Sequence, residues 1–146
     1  MPHTSDITLL YLIKQVELAV RSQLDEAVAA EGLTSLQYTA LTVLERHPGI
    51  TSAALARNSF VRAQTMAQMT AYLEGLGLIR RESDPGSKRQ IQLFLSERGV
   101  EVLVGLRPRV AEVEARMIGG LSDAAVREYR AALLASRVAL GGKPAR

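Results

Sequence analysis

The stretch TSAALARNSFVRAQTMAQMTAYLEGLGLIRRESDPGSKRQIQLFL, from Thr51 to Leu95, decides the fold, because its hydrophobic period changes partway along. Thr51 offers a hydroxyl to cap the run Ser52-Ala-Ala-Leu-Ala-Arg57, which predicts a short helix, and Asn58-Ser59 breaks it. A longer helix is predicted from near Val61. It carries Met66, Met69, Leu73 and Leu76 as an apolar stripe, with Arg62, Gln64, Gln68 and Tyr72 elsewhere on its surface. Gly75 and Gly77 close it. Beyond Leu78-Ile79-Arg80-Arg81-Glu82 and Asp84-Pro-Gly, the residues Ile91, Leu93 and Leu95 alternate with Gln90, Gln92 and Phe94, which predicts a two-stranded hairpin turning at Pro85-Gly86.

A short helix, a turn over Asn58 to Val61, a longer helix with a polar N-terminal end and a hairpin follow the order of a winged helix-turn-helix. In that geometry the first turn of the second helix enters the major groove. Arg62, Gln64 and Gln68 would then face base edges, arginine being suited to guanine and glutamine to adenine. Lys88 and Arg89, beside the hairpin turn, would lie along phosphates or dip into the minor groove. Arg57, Arg80 and Arg81 are candidate phosphate contacts, but Arg80 and Arg81 are strand neighbours pointing to opposite faces, so at most one follows the backbone directly. Charge supports this reading. The net charge is only +3, yet Arg57 to Arg89 holds six basic residues against three acidic ones, and the rest of the chain has twelve of each.

Working outward, Leu9, Leu12, Ile13, Val16, Val20, Leu24 and Val28 predict a long amphipathic helix over Ser5 to Glu31, capped by Thr4 or Ser5 with Asp6 and stopped by Gly32. Thr34-Ser-Leu-Gln37 has capping-box spacing and starts a helix that runs to about His47. On the far side, helix returns from Ser96 to Gly119-Gly120, with Pro108 as a kink or short break, and Ser122-Asp123 caps a last helix before a frayed tail from Gly141. These flanking helices carry apolar stripes that a central lobe of about sixty-five residues cannot cover. They are expected to bury each other across a two-fold axis. The chain thus divides into an N-terminal dimerisation helix (1–33), a winged helix-turn-helix lobe (34–98) and C-terminal dimerisation helices (99–146): a mainly α fold with a two-stranded β wing. A symmetric dimer sets its two reading helices roughly 34–36 Å apart, or near a multiple of that, so a palindromic operator in double-stranded DNA follows.

The residues resemble the MarR family of winged helix-turn-helix transcriptional regulators over most of the chain. The resemblance is carried by Leu33-Thr34-Ser-Leu-Gln37-Tyr38, Leu55-Ala56-Arg57, Thr65-Met66, Leu73-Glu74-Gly-Leu-Gly77-Leu78-Ile79, and Asp84-Pro-Gly-Ser-Lys-Arg89 through Leu95-Ser-Glu-Arg-Gly99. It implies a homodimeric repressor released from DNA by a small ligand, and adds Thr65 to Arg57, Arg62, Gln64, Gln68, Arg81, Lys88 and Arg89 as DNA-contacting candidates. The wing departs from the family pattern Asp-x-Arg-Asp-x-Arg. Asp84 and Arg89 are kept, but Gly86 stands where the minor-groove arginine would be, and Lys88 is the nearest substitute. Asp84 would repel DNA and is expected to order the wing instead. The resemblance also implies a small aromatic or phenolic effector between the dimer helices and the DNA-binding lobe, for which Tyr11, Arg21, Tyr38 and His47 are candidates.

Other classes find little support. With 47% hydrophobic and 23% charged residues, the composition is that of an ordinary folded domain and not of a disordered tail. No cysteine is present, which excludes disulfides, thiolate metal sites and thiol redox sensing. The two histidines, His3 and His47, do not make a metal pair, and no cofactor is implied. No nucleophile stands with a base, and there is no phosphate-binding glycine loop, so an enzyme is not expected. No run approaches the roughly 18 apolar residues of a membrane span, so a cytoplasmic protein without membrane contact is expected. The alternative is a winged-helix adaptor that binds protein without specific DNA recognition, against which the basic central stretch argues.

Overall fold

The computed structural model describes residues 7–142, apart from the side chains of residues 87–89. The first helix, α1 (Leu9–Val28), is capped by Thr8, whose Oγ1 accepts from the Tyr11 amide at 3.1 Å. The cap therefore falls later than Thr4 or Ser5, which lie outside the described residues. A 3-10 turn, Ala29–Glu31, ends at Gly32 with φ 74°, the left-handed stop expected there. In α2 (Ser35–Arg46) the capping box is complete: Thr34 Oγ1 accepts from the Gln37 amide, and Gln37 Oε1 accepts from the Thr34 amide. Asp25 of α1 also accepts from the Ser35 amide at 2.6 Å, tying the two helices together.

Next come β1 (Ile50–Thr51), α3 (Ser52–Asn58) and α4 (Ala63–Gly75). Asn58 belongs to α3 and α4 starts two residues after Val61, so the turn runs from Ser59 to Arg62. The hairpin of β2 (Ile79–Asp84) and β3 (Ser87–Leu95) turns at Pro85-Gly86. The sheet has three strands and not two, in the order β1-β3-β2. Ile50 pairs with Leu93 and Thr51 with Gln92, all antiparallel.

In α5 (Glu97–Ile118) the helix runs through Pro108 without the short break that was one of the two expectations there. Pro108 and Val104, four residues earlier, are both exposed, so water can satisfy the carbonyl that loses its partner. The last helix, α6 (Asp123–Ala139), is capped by Ser122. Leu41 and Leu44 of α2, Leu55 of α3, Met66 and Leu73 of α4, Leu93 of β3 and Leu103 of α5 form the core, all fully buried. This core fixes the orientation of α3 and α4 against the wing. By contrast α6 has no buried residue, and Leu9 at the start of α1 is 83% exposed. Among the described residues, no helix is long and apolar enough to cross a membrane, and no group of three or more histidine or acidic side chains is placed to hold a metal.

Candidate nucleic-acid interface and ligand crevice

The helix α4 divides cleanly into two faces. Met66, Met69, Thr70 and Leu73 are buried, while Gln64, Thr65, Ala67, Gln68 and Ala71 are exposed. Helical spacing sets Gln64, Gln68 and Ala71 on one stripe, where the two alanines at 67 and 71 leave the glutamines standing clear of the surface. Arg62 is the N-cap residue, with extended backbone and no capping bond from its side chain, and it is exposed. The structure thus brings Arg62, Gln64, Thr65 and Gln68 together at the N-terminal end of α4. Arg57 is exposed in the last turn of α3.

The hairpin arginines are engaged within the protein. Arg80 forms an ion pair with Glu82 and lies over the Phe94 ring at 4.6 Å. Arg81 donates from Nε to Glu74 at 2.5 Å and from Nη2 to Thr70 Oγ1 at 3.3 Å, bracing β2 against α4. At the wing tip Asp84 accepts from the Gly86 amide at 2.8 Å, the ordering role expected of it. The Lys88 and Arg89 side chains lie outside the described residues.

A crevice of about 300 Å³ opens between α1, α2, α5 and α6. Its walls are mostly apolar, from Ile13, Val16, Val20, Leu36, Met117 and Leu133, with Arg21, Glu17, Ser35, Thr39 and Tyr129 as the polar groups. Of the four effector candidates only Arg21 lines it. Its guanidinium hydrogen-bonds Glu17, and that bond holds the Glu17 carboxyl below the usual carboxylate range. Tyr11 sits in the first turn of α1, and His47 caps the C-terminus of α2. Tyr38 packs against the core, where burial pushes its hydroxyl pKa up. Ser35, Thr39 and Tyr129 went unseen because no local pattern marks residues that meet only when three helices pack. Beside the Asp25–Ser35 bond, the Tyr72 hydroxyl of α4 donates to the Gly32 carbonyl at 2.6 Å, and Arg107 of α5 pairs with both carboxylate oxygens of Glu45 of α2.

A buried scaffold that presents one polar helix face beside a basic hairpin defines a winged helix-turn-helix DNA-binding protein. A sequence model of the MarR family matches residues 31–90. The HTH-type transcriptional repressor Rv2887 of Mycobacterium tuberculosis is 30% identical over 125 residues, covering 86% of this chain and 90% of the relative. Its crystal structure in complex with salicylic acid matches with a TM-score of 0.72 and 29% identity, over 90% of this chain and 97% of that one. The repressor CouR, bound to a 23-mer DNA duplex, matches with a TM-score of 0.80 and 28% identity, over 97% and 96%. The chain belongs to the MarR family of transcriptional regulators.

Proposed function

We propose that the protein is a ligand-responsive repressor that binds a palindromic operator as a cytoplasmic homodimer. The observation that carries this reading is the exposed cluster of Arg62, Gln64, Thr65 and Gln68 on a helix whose opposite face is locked into the core. Residues 34–98 form the DNA-binding lobe, and the helices within 1–33 and 99–146 supply the dimer interface. Their apolar exposure, 83% at Leu9 and 66% at Val138, supports an obligate partner. Arg62, Gln64, Thr65 and Gln68 read bases, while Arg57, Lys88 and Arg89 hold phosphates. Arg81 acts chiefly by positioning α4.

The effector is a small aromatic acid, a class supported by the salicylate complex of Rv2887. Arg21 is its counter-ion once released from Glu17, and the Thr39 hydroxyl in the crevice wall is a further polar partner. No observation favours the adaptor reading. The test is a fluorescence-anisotropy titration against the duplex upstream of the protein's own gene and a scrambled duplex, at two salt concentrations, with and without salicylate. Tighter, salt-sensitive binding to the first, reversed by salicylate and not in Arg21→Ala, is expected. Equal binding to both duplexes overturns the reading.

A further inference from the structure

The residues of a helix-turn-helix turn ordinarily serve its conformation, and one here does not. The α3 helix ends with the Ser59 amide donating to the Leu55 carbonyl at 2.9 Å and the Val61 amide donating to the Ala56 carbonyl at 3.1 Å. That pattern needs a left-handed residue between Ser59 and Val61, a position glycine usually fills. Here it is Phe60, with φ 62°, the only non-glycine residue at positive φ among the described residues. Its neighbours face inward: Ser59 is fully buried and Val61 packs on the core. Phe60 points the other way and is 87% exposed. The closing bond from the Val61 amide offsets part of the backbone strain, but the large apolar side chain is left in water with no cover among the described residues.

One residue, Val61, separates Phe60 from Arg62, at the end of α4 that reads DNA in the function proposed above, on which this inference rests. A phenyl ring carries no charge and no hydrogen bond for a phosphate. The apolar feature that a major groove offers is the thymine C5-methyl group. We propose that Phe60 is a specificity-determining residue, packing its ring against a thymine methyl at the edge of the groove beside the bases read by Arg62.

The test pairs wild type and Phe60→Gly with an operator selected from random duplexes, in which uracil replaces each thymine in turn and so removes only a methyl. One uracil position per half-site should weaken wild type about fourfold, the factor carried by one buried methyl-sized group. Phe60→Gly should bind the thymine operator more weakly and lose nothing further at that position. Its Tm should rise by a few degrees because the turn relaxes, which a merely structural phenylalanine would not produce. The proposal is overturned if Phe60→Gly binds as wild type does, or if it keeps the wild-type response to every uracil. A wild type with no preference for any selected site overturns the DNA reading and this inference together.

Discussion

Arg57 and Arg62 are both exposed arginines near the helix-turn-helix turn, yet truncation should affect them differently. Arg62 leads into α4 at the end proposed to enter the groove, so Arg62→Ala should cost about 1–3 kcal/mol at the cognate site and relax discrimination at one base pair. Arg57→Ala should weaken cognate and scrambled duplexes alike and lower the salt slope by about one. Anisotropy titrations against single-base operator variants at several salt concentrations separate the two; unchanged operator preference in Arg62→Ala would remove its base-reading role. Asp25 offers a test of stability. Hydrogen bonds from Ser35, the backbone amide above all, hold its carboxyl below the usual aspartate range. Because the folded value is depressed, the stabilisation is complete above the ordinary aspartate pKa and disappears as pH falls through the folded value. Asp25→Ala should therefore cost roughly 1 kcal/mol at neutral pH, discounted for its partial exposure, and progressively less in acid. Urea denaturation at neutral pH and at about pH 3 measures the difference, and a constant gap at both would contradict the assignment.

At the scale of elements, the junction between the wing and α5 leaves the least room. The Leu78 carbonyl accepts from the Ser96 amide at 3.0 Å, and a Cβ on Gly99 would come within 2.2 Å of that same oxygen. Gly99→Ala should shift β2 or the start of α5 and cost about 1–3 kcal/mol, the range for an overpacked core. Thermal unfolding checks this, and a Tm within a degree of wild type would show that the junction yields. Most elements were legible because their signals are local: Thr34 with Gln37, Thr51, Ser96 and Ser122 each cap a helix within three residues of the bond they make. What escaped was non-local. The strand β1 is only two residues long and pairs with residues about forty positions away, so it has no alternation to read. Arg80 and Arg81 looked like phosphate contacts by charge alone; Glu82 shares the strand face of Arg80 by simple alternation, whereas only packing brings Glu74 of α4 to Arg81. The crevice was least legible, since Arg21, Thr39 and Tyr129 come from three helices spread over much of the chain.

For the whole molecule, the proposed dimer makes the exposed apolar surface of α1 and α6 the link between DNA recognition and assembly. Leu134 and Val138 lie one helical turn apart on α6, 46% and 66% exposed. The double variant Leu134→Glu, Val138→Glu should be monomeric by light scattering and lose about a hundredfold or more in operator affinity, because the second half-site no longer binds as part of one unit. A folded monomer that still bound the operator tightly would separate recognition from dimerisation. In the proposed dimer, two copies of α4 read one duplex symmetrically. Selection of bound sequences from a pool of random duplexes tests it most directly. The expected product is an inverted repeat with half-site centres roughly 34–36 Å apart, about one turn of the duplex, or near a multiple of it. Enrichment of a single asymmetric motif, or of no motif at all, would contradict it.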